Sequence, residues 1–178
     1  MQAPQLETTD GHVRLITPDI ERDAPLGVAW LQGELGRDTL RLMGVPDKDN
    51  VASTLPQEKA RVSDFLSRPD QLNWMIAYDA DIIGSVWVDL QEHEGLPAPS
   101  VHIMIGDPAA RGKGIGSSAT KSVIEYLRAA GNTTAYSRHL VANADARKLL
   151  EQQGFLDYDK PYTDQDGLQW QNMSLKLT

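Results

Sequence analysis

The order of hydrophobic patterns predicts an α/β or α+β fold built on a mixed sheet. Helix-spaced apolar residues over 55–69 are followed by three strand-like runs between Asn73 and Gly106. Two further helix-spaced stretches, over 115–130 and 143–153, alternate with strand-like runs, and the chain ends on a strand pair around Asp164–Gly167. Interleaving periods near 3.6 and 2 in this way predicts helices laid over a sheet.

Each element has its own signal. Residues 1–10 lack periodicity and read as a loose leader, which leaves 11–178 as a single domain without repeats or low-complexity linkers. "HVRLIT" (12–17) alternates as a first strand and Pro18-Asp19 breaks it. Ile20 to Leu42 carries Leu26, Trp30 and Leu31 together with interrupting glycines, predicting one or two short helices. In "LPQEKARVSDFLSRP", Pro56 suits a first turn, Val62, Phe65 and Leu66 share a face, and Pro69 lies past the end. "NWMIAYDADIIGSVWVDL" is two aromatic and β-branched runs about Asp79-Ala80-Asp81. The loop "EGLPAP" separates them from "SVHIMIG", a fourth strand. After a glycine-rich loop, Ile115, Ala119, Val123, Tyr126, Leu127 and Ala130 mark a helix that Gly131-Asn132 stops. "TTAYSRHLV" is a fifth strand, "NADARKLLEQQ" a short helix closed by Gly154, and "FLDYDKPY" with "LQWQNMSLKL" the final pair.

Bulk composition narrows the function. The 25 acidic residues against 17 basic ones give a net charge of −8, which argues against broad nucleic-acid binding and fits either a cationic substrate or, equally well, a plain solubility role. No cysteine is present, so disulfides, thiolate metal sites and cysteine nucleophiles are excluded. The N-terminus lacks a basic segment followed by an apolar run, and no apolar stretch approaches the roughly 20 residues that span a bilayer. A soluble cytoplasmic protein without a membrane partner is the expectation. His93 and His139 lack partners at metal-ligand spacing, so no metal is expected.

The stretch "DPAARGKGIGSSATKSVIEYLRAAG" (107–131) concentrates the chemistry. It is not a P-loop: five residues separate Gly106 from Gly112, and Lys113 is followed by Gly114 rather than by a hydroxyl. Gly114-x-Gly116-x-x-Ala119 matches a dinucleotide fingerprint loosely, yet the strand through His139 and Leu140 ends without the required carboxylate. What remains is a plain glycine turn or an anion cradle. Gly112, Gly114 and Gly116 let backbone N–H groups converge at the start of a helix, and Arg111 and Lys113 stand at the rim.

Arg111-Gly112-Lys113-Gly114-Ile115-Gly116 resembles the Arg/Gln-x-x-Gly-x-Gly/Ala signature of the GNAT family of N-acetyltransferases. "NADARKLLEQQGF" is similar to that family's second motif, at Asn143, Ala146, Glu151, Gly154 and Phe155. The order of elements agrees along nearly the whole chain. The resemblance implies a mostly antiparallel mixed sheet flanked by helices and splayed between its fourth and fifth strands. It implies acetyl-CoA as co-substrate, held by Arg111, Gly112, Lys113, Gly114, Ile115, Gly116 and Ser117. It also implies direct attack by a primary amine, with a backbone N–H near Met104 or Ile105 stabilising the oxyanion.

Other roles follow less directly. Asn143 either bonds the pantetheine or a water, or caps the helix that it opens. His102 is either the general base or a half-buried histidine. Leu150 stands where many relatives carry an acid tyrosine; leucine there is common in the branch that acetylates ribosomal-protein N-termini and related amines. Ala146, however, replaces that branch's frequent serine. Asp89, Glu92 and Glu94 are entrance charges or solvated ones. Trp74, Trp87 and Trp170 read as core, whereas Trp30, with Glu34 and Asp38, could shape an acceptor cleft. The acceptor is then a small amine or a peptide N-terminus, and the family's habit of pairing makes a homodimer an option. The alternative is a GNAT-like module that binds CoA without turnover and acts as a sensor or partner-binding protein.

Overall fold

A computed structural model describes residues 3–8 and 11–178. The order is β1 (Leu6–Glu7), β2 (Val13–Ile16), α1 (Ile20–Trp30), α2 (Gly33–Leu42), α3 (Leu55–Ser67), β3 (Gln71–Tyr78), β4 (Asp81–Asp89) and β5 (Ser100–Ile105). A short 3₁₀ turn (Pro108–Ala110) leads to α4 (Ile115–Ala129), β6 (Thr134–Leu140), α5 (Ala144–Gln152), β7 (Leu156–Asp157), β8 (Tyr162–Thr163) and β9 (Gln169–Lys176). The nine strands of the described residues join one sheet in the order β1-β2-β3-β4-β5-β6-β9-β7, with β8 also on β9. Among the described residues, only β5 and β6, the fourth and fifth strands counted from His12, run parallel to each other. The mixed, mostly antiparallel architecture expected from the sequence is what forms.

Local chemistry sets the boundaries. Asp19 caps α1 by accepting from Arg22 N–H at 2.8 Å, and Thr54 with Gln57 forms a capping box on α3. Gly33, at φ +66°, opens the second of two helices within 20–42 and marks the break expected there, whereas Gly27 and Gly36 lie inside the helices. Two expectations change. Part of the leader is structured: Leu6 and Glu7 pair with Leu15 and Arg14, Ala3 is buried, and Trp74 Nε1 donates to Pro4 O at 2.6 Å. Residues 1, 2, 9 and 10 of that leader lie outside the described residues. The run 155–162 forms two short strands rather than one, both paired with β9. Pro161 cannot donate to a ladder, so a continuous strand fails there.

The sheet is covered on both faces, and alternation assigns the residues. Val101, Ile103 and Ile105 pack with Ile115, Ala119, Val123 and Leu127 of α4. Met104 points the other way, into a second cluster with Trp30, Leu31 and Met75 under α1. Trp30 is therefore core and not an acceptor-site platform: it lies directly on Gly106, where an added Cβ would come within 2.2 Å of the indole. No helix among the described residues is long and apolar enough to cross a membrane.

This contact fixes α1 over the end of β5. Gly106→Ala should therefore destabilise the fold by about 1–3 kcal/mol through overpacking, lowering the urea midpoint without altering the slope. An unchanged midpoint would mean that Trp30 does not seat on this strand.

Candidate functional site

The site begins where a ladder stops. β5 pairs with β4 along its whole length but meets β6 at one register pair, Ser100 opposite Tyr136. Tyr136 N–H donates to Pro99 O at 2.9 Å and Ser137 Oγ donates to Val101 O at 2.7 Å. Beyond Val101 the strands diverge. On the other edge, Gly106 N–H donates to Ile83 O at 2.9 Å, which makes Ile105 and Gly84 a non-hydrogen-bonded pair. Alternation then turns the N–H and C=O groups of Ile103 and Ile105 toward the gap and those of Met104 toward β4. Of the two residues named for the oxyanion, Ile105 thus turns its N–H toward the gap and Met104 turns its own toward β4.

The glycine loop closes one end of this gap. Gly112 and Gly114 have φ of +72° and +78°, the left-handed region that side chains resist, and a Cβ on either would meet nothing within 4 Å. Gly116 differs, because its Cβ would come within 3.1 Å of Leu149; it is small so that α4 can approach α5 and β5. Gly114 is the N-cap of α4 and supplies no side-chain cap. The first intrahelical bond runs from Ser118 N–H to Gly114 O, leaving the N–H groups of Ile115, Gly116 and Ser117 ahead of the ladder. The Ile115 side chain is buried, so only its backbone can serve a ligand. An open cleft of ≈ 520 Å³ adjoins this helix end, with Lys113, Gly114, Ser117, Lys121, His12 and Tyr78 on its wall.

The two loop cations are unlike. Lys113 is exposed and carries no hydrogen bond or ion pair among the described residues. Arg111 is turned inward: its Nε donates to Ile105 O at 3.1 Å and its Nη2 to Thr39 Oγ1 at 2.7 Å. It ties the loop to the end of β5 and to α2, a use that the motif did not reveal. Ser117 Oγ accepts from Gln153 Nε2 at 2.6 Å, which joins α4 to α5. Asn143 caps α5, its Oδ1 accepting from Ala146 N–H at 3.1 Å while Nδ2 donates to Leu42 O at 3.1 Å. Both ends of that amide are engaged, which is the capping half of its expectation. Leu150 is buried in the core between sheet and helices.

On the α1 face, His102 stacks on Trp87 with centroids 5.4 Å apart and planes 19° from parallel. Its Nε2 lies 3.1 Å from Asp89 Oδ2 and 3.1 Å from Ser100 Oγ. Gln71 Nε2 donates to Asp89 Oδ1 at 2.6 Å. Burial works against the Asp89 charge, but the hydrogen bonds from His102 and Gln71 outweigh it and hold the carboxyl below its ordinary 3.8. The β4–β5 register builds this cluster by setting Trp87 opposite His102 and Asp89 opposite Ser100. Sequence reasoning named Asp89 and His102 but did not join them, because the ten residues between the strands leave the register open. Glu92 and the pair His93–Glu94 lie exposed in that connection.

Farther along the same face, the Arg138 guanidinium lies over the Trp170 ring at 4.7 Å. Glu94 accepts from Arg138 Nη2, and Trp170 Nε1 donates to Asp164 at 2.8 Å. Trp170 also seats against Gly44, and Asp38 pairs with Arg41 at 2.7 Å, whereas Glu34 stays exposed. Among the described residues no group of three His, Asp or Glu side chains is placed to hold a metal ion.

The depressed Asp89 pKa carries a sign for stability. A carboxylate whose folded pKa lies below its unfolded value contributes stability that is present above the unfolded value and is lost as pH falls through the folded one. The unfolding free energies of wild type and Asp89→Asn should therefore converge as pH falls below about 5 and through the lowered pKa of the folded state. A gap that stays constant across that range would show that the Asp89 charge carries no linkage.

Comparison with known proteins agrees with this geometry. Residues 40–155 match the model of the acetyltransferase (GNAT) family. No curated protein sequence matches the chain. The fold is similar to RimL, a ribosomal-protein α-N-acetyltransferase solved with coenzyme A, at a TM-score of 0.77 and 11% identity over 97% of this chain and 98% of that one. It is also similar to the microcin C7 self-immunity acetyltransferase MccE, solved with acetyl-CoA and AMP, at 0.74 and 14% over 93% and 92%. The aminoglycoside acetyltransferase AAC(6′)-Ib, solved with coenzyme A, aligns at 0.70 and 18% over 92% and 93%. The diverging strands, the left-handed glycines and the matched family model lead to one conclusion: the chain belongs to the GNAT family, enzymes that transfer acetyl from acetyl-CoA to an amine.

Proposed function

We propose that this protein acetylates a cationic primary amine by direct attack in a ternary complex, with the gap between β5 and β6 holding the pantetheine arm. The observation that carries the reading is the strip formed by both backbone groups of Ile103 and the N–H of Ile105, which face a gap instead of a strand, the Ile105 carbonyl being held by Arg111. Backbone polar groups seek partners, and an extended amide-containing arm supplies them. The residues at the helix end fit a pyrophosphate: two glycines open a space that any Cβ would enter, three N–H groups stand ahead of the α4 ladder, and Lys113 is at hand. Acetyl-CoA would supply an activated thioester there.

The chain's own residues do the rest. Ile105 N–H is aimed where an oxyanion would develop. His102 takes a proton from the amine nitrogen as the N–C bond forms, and that proton passes on, through water where needed, to the sulfur freed when the C–S bond breaks. Leu150 cannot donate it. Arg111 and Asn143 position rather than react: one holds the loop against β5, the other holds α5 against the end of α2. Glu94 and Asp164 lie around the Arg138–Trp170 stack on the His102 face and favour a cationic acceptor, as does the net charge of −8.

Calorimetry and kinetics test this together. Wild type should bind acetyl-CoA, and Gly114→Val, whose side chain enters the anion space, should lose that binding. His102→Gln should keep the affinity and lose about 10²–10⁴ in kcat. Absence of acetyl-CoA binding to wild type would overturn the reading; binding without thiol release across an amine panel would leave a CoA-binding module.

A further inference from the structure

Catalysis by His102 requires one ring nitrogen to be free of its proton and open to substrate, and the surroundings of this ring determine which one. Asp89 is buried, and its Oδ2 stands 3.1 Å from Nε2. An ionised carboxylate only accepts, so the proton between them belongs to the imidazole and Nε2 is the donor. Ser100 Oγ, also 3.1 Å from Nε2, can share that proton without competing for the other nitrogen. Nδ1 has no hydrogen bond among the described residues and is not among their buried unpartnered polar atoms, so it reaches solvent on the face opposite α4. The Trp87 ring, stacked at 19°, restrains rotation of the imidazole out of this plane.

Asp89 is oriented in turn. Gln71 Nε2 donates to Asp89 Oδ1 at 2.6 Å, which leaves Oδ2 for the histidine. The Gln71 carbonyl Oε1 is buried without a partner. A buried unsatisfied acceptor is costly, and its presence shows that the amide is committed to the carboxylate rather than to its own satisfaction. Gln71, Asp89 and Ser100 lie across three adjacent strands at one level, because Gln71 is opposite Asp89 and Asp89 is opposite Ser100.

We infer that Asp89, oriented by Gln71, is a positioning residue that fixes His102 in the Nε2–H tautomer and so makes Nδ1 the proton acceptor for the incoming amine. The catalytic half of this rests on the reading of His102 as base; the tautomeric half stands independently. In the reaction the amine N–H bond breaks as Nδ1–H forms, the resulting imidazolium keeps its Nε2–H toward Asp89, and the Nδ1 proton is then surrendered toward the leaving sulfur. Asp89 does not change protonation state.

The test reads the tautomer directly. Long-range ¹H–¹⁵N correlation spectra of ¹⁵N-histidine protein, taken where the imidazole is neutral and assigned by the signal missing from His102→Gln, should show Nε2–H in wild type. In Asp89→Asn, Gln71 holds the amide oxygen and leaves an NH₂ facing Nε2. The His102 signal should move to Nδ1–H, with kcat lower by about 10²–10⁴ and acetyl-CoA affinity unchanged. Gln71→Leu, which keeps the carboxylate, should retain Nε2–H and lose less rate. An unchanged tautomer in Asp89→Asn overturns the inference whatever the rate does, and so does a loss in Gln71→Leu as deep as in Asp89→Asn. A tautomer shift with full kcat, where His102→Gln is inactive, overturns the positioning role. Full kcat in His102→Gln instead overturns the reading of His102 as base and with it the catalytic half, leaving the spectra to judge Asp89's hold alone.

Discussion

A β-strand carries twice as many hydrogen-bonding directions as one neighbour can use, and the organisation of this protein follows from how β5 spends its second set. Its β4 side is complete from Ser100 to Ile105. Its β6 side closes at one pair and then opens, so Ile103 and Ile105 present backbone groups to a gap. Ser137 Oγ on Val101 O and Tyr136 N–H on Pro99 O pin the closed end, and Arg111 on Ile105 O braces the open one. An opening fixed at both ends is a slot, and a slot lined by amides suits a ligand that is itself extended and amide-bearing.

The other parts are arranged around that slot. α4 aims its uncapped N-terminus at one mouth, and the left-handed glycines keep side chains out of the way. The opposite face is built by Trp30 on Gly106 and by the row Gln71–Asp89–Ser100/His102. One strand thus faces an apolar core with Ile103 and Ile105, a polar row with His102, and the slot with its backbone. The three roles separate by geometry: side chains alternate above and below the sheet, and peptide groups lie within it.

Most of the architecture was legible in the sequence because its periods are strong. The α4 helix, the β3–β4 hairpin and the two family motifs all fall where the patterns of Val123 and Leu127, Trp74 and Ile76, and Arg111 to Gly116 predict. The leader was not legible: Leu6 and Glu7 gain order from pairing with β2, and two residues carry no period. At the site, the glycine loop was legible through residue type, whereas the roles within it were not. Gly116 serves packing and Arg111 serves bracing because of what lies beside them, Leu149 and Thr39, both distant in sequence. The Asp89–His102 contact was hidden for a related reason, since it depends on register across a long connection.

The central claim is that acetyl-CoA lies along the gap-facing edge of β5, and amide hydrogen exchange reads that edge one residue at a time. With saturating acetyl-CoA, Ile103 and Ile105 N–H should become strongly protected, while Met104, whose N–H already faces β4, changes little. Equal rates at Ile105 with and without ligand, under conditions where ligand is bound, would contradict the account and place the molecule elsewhere.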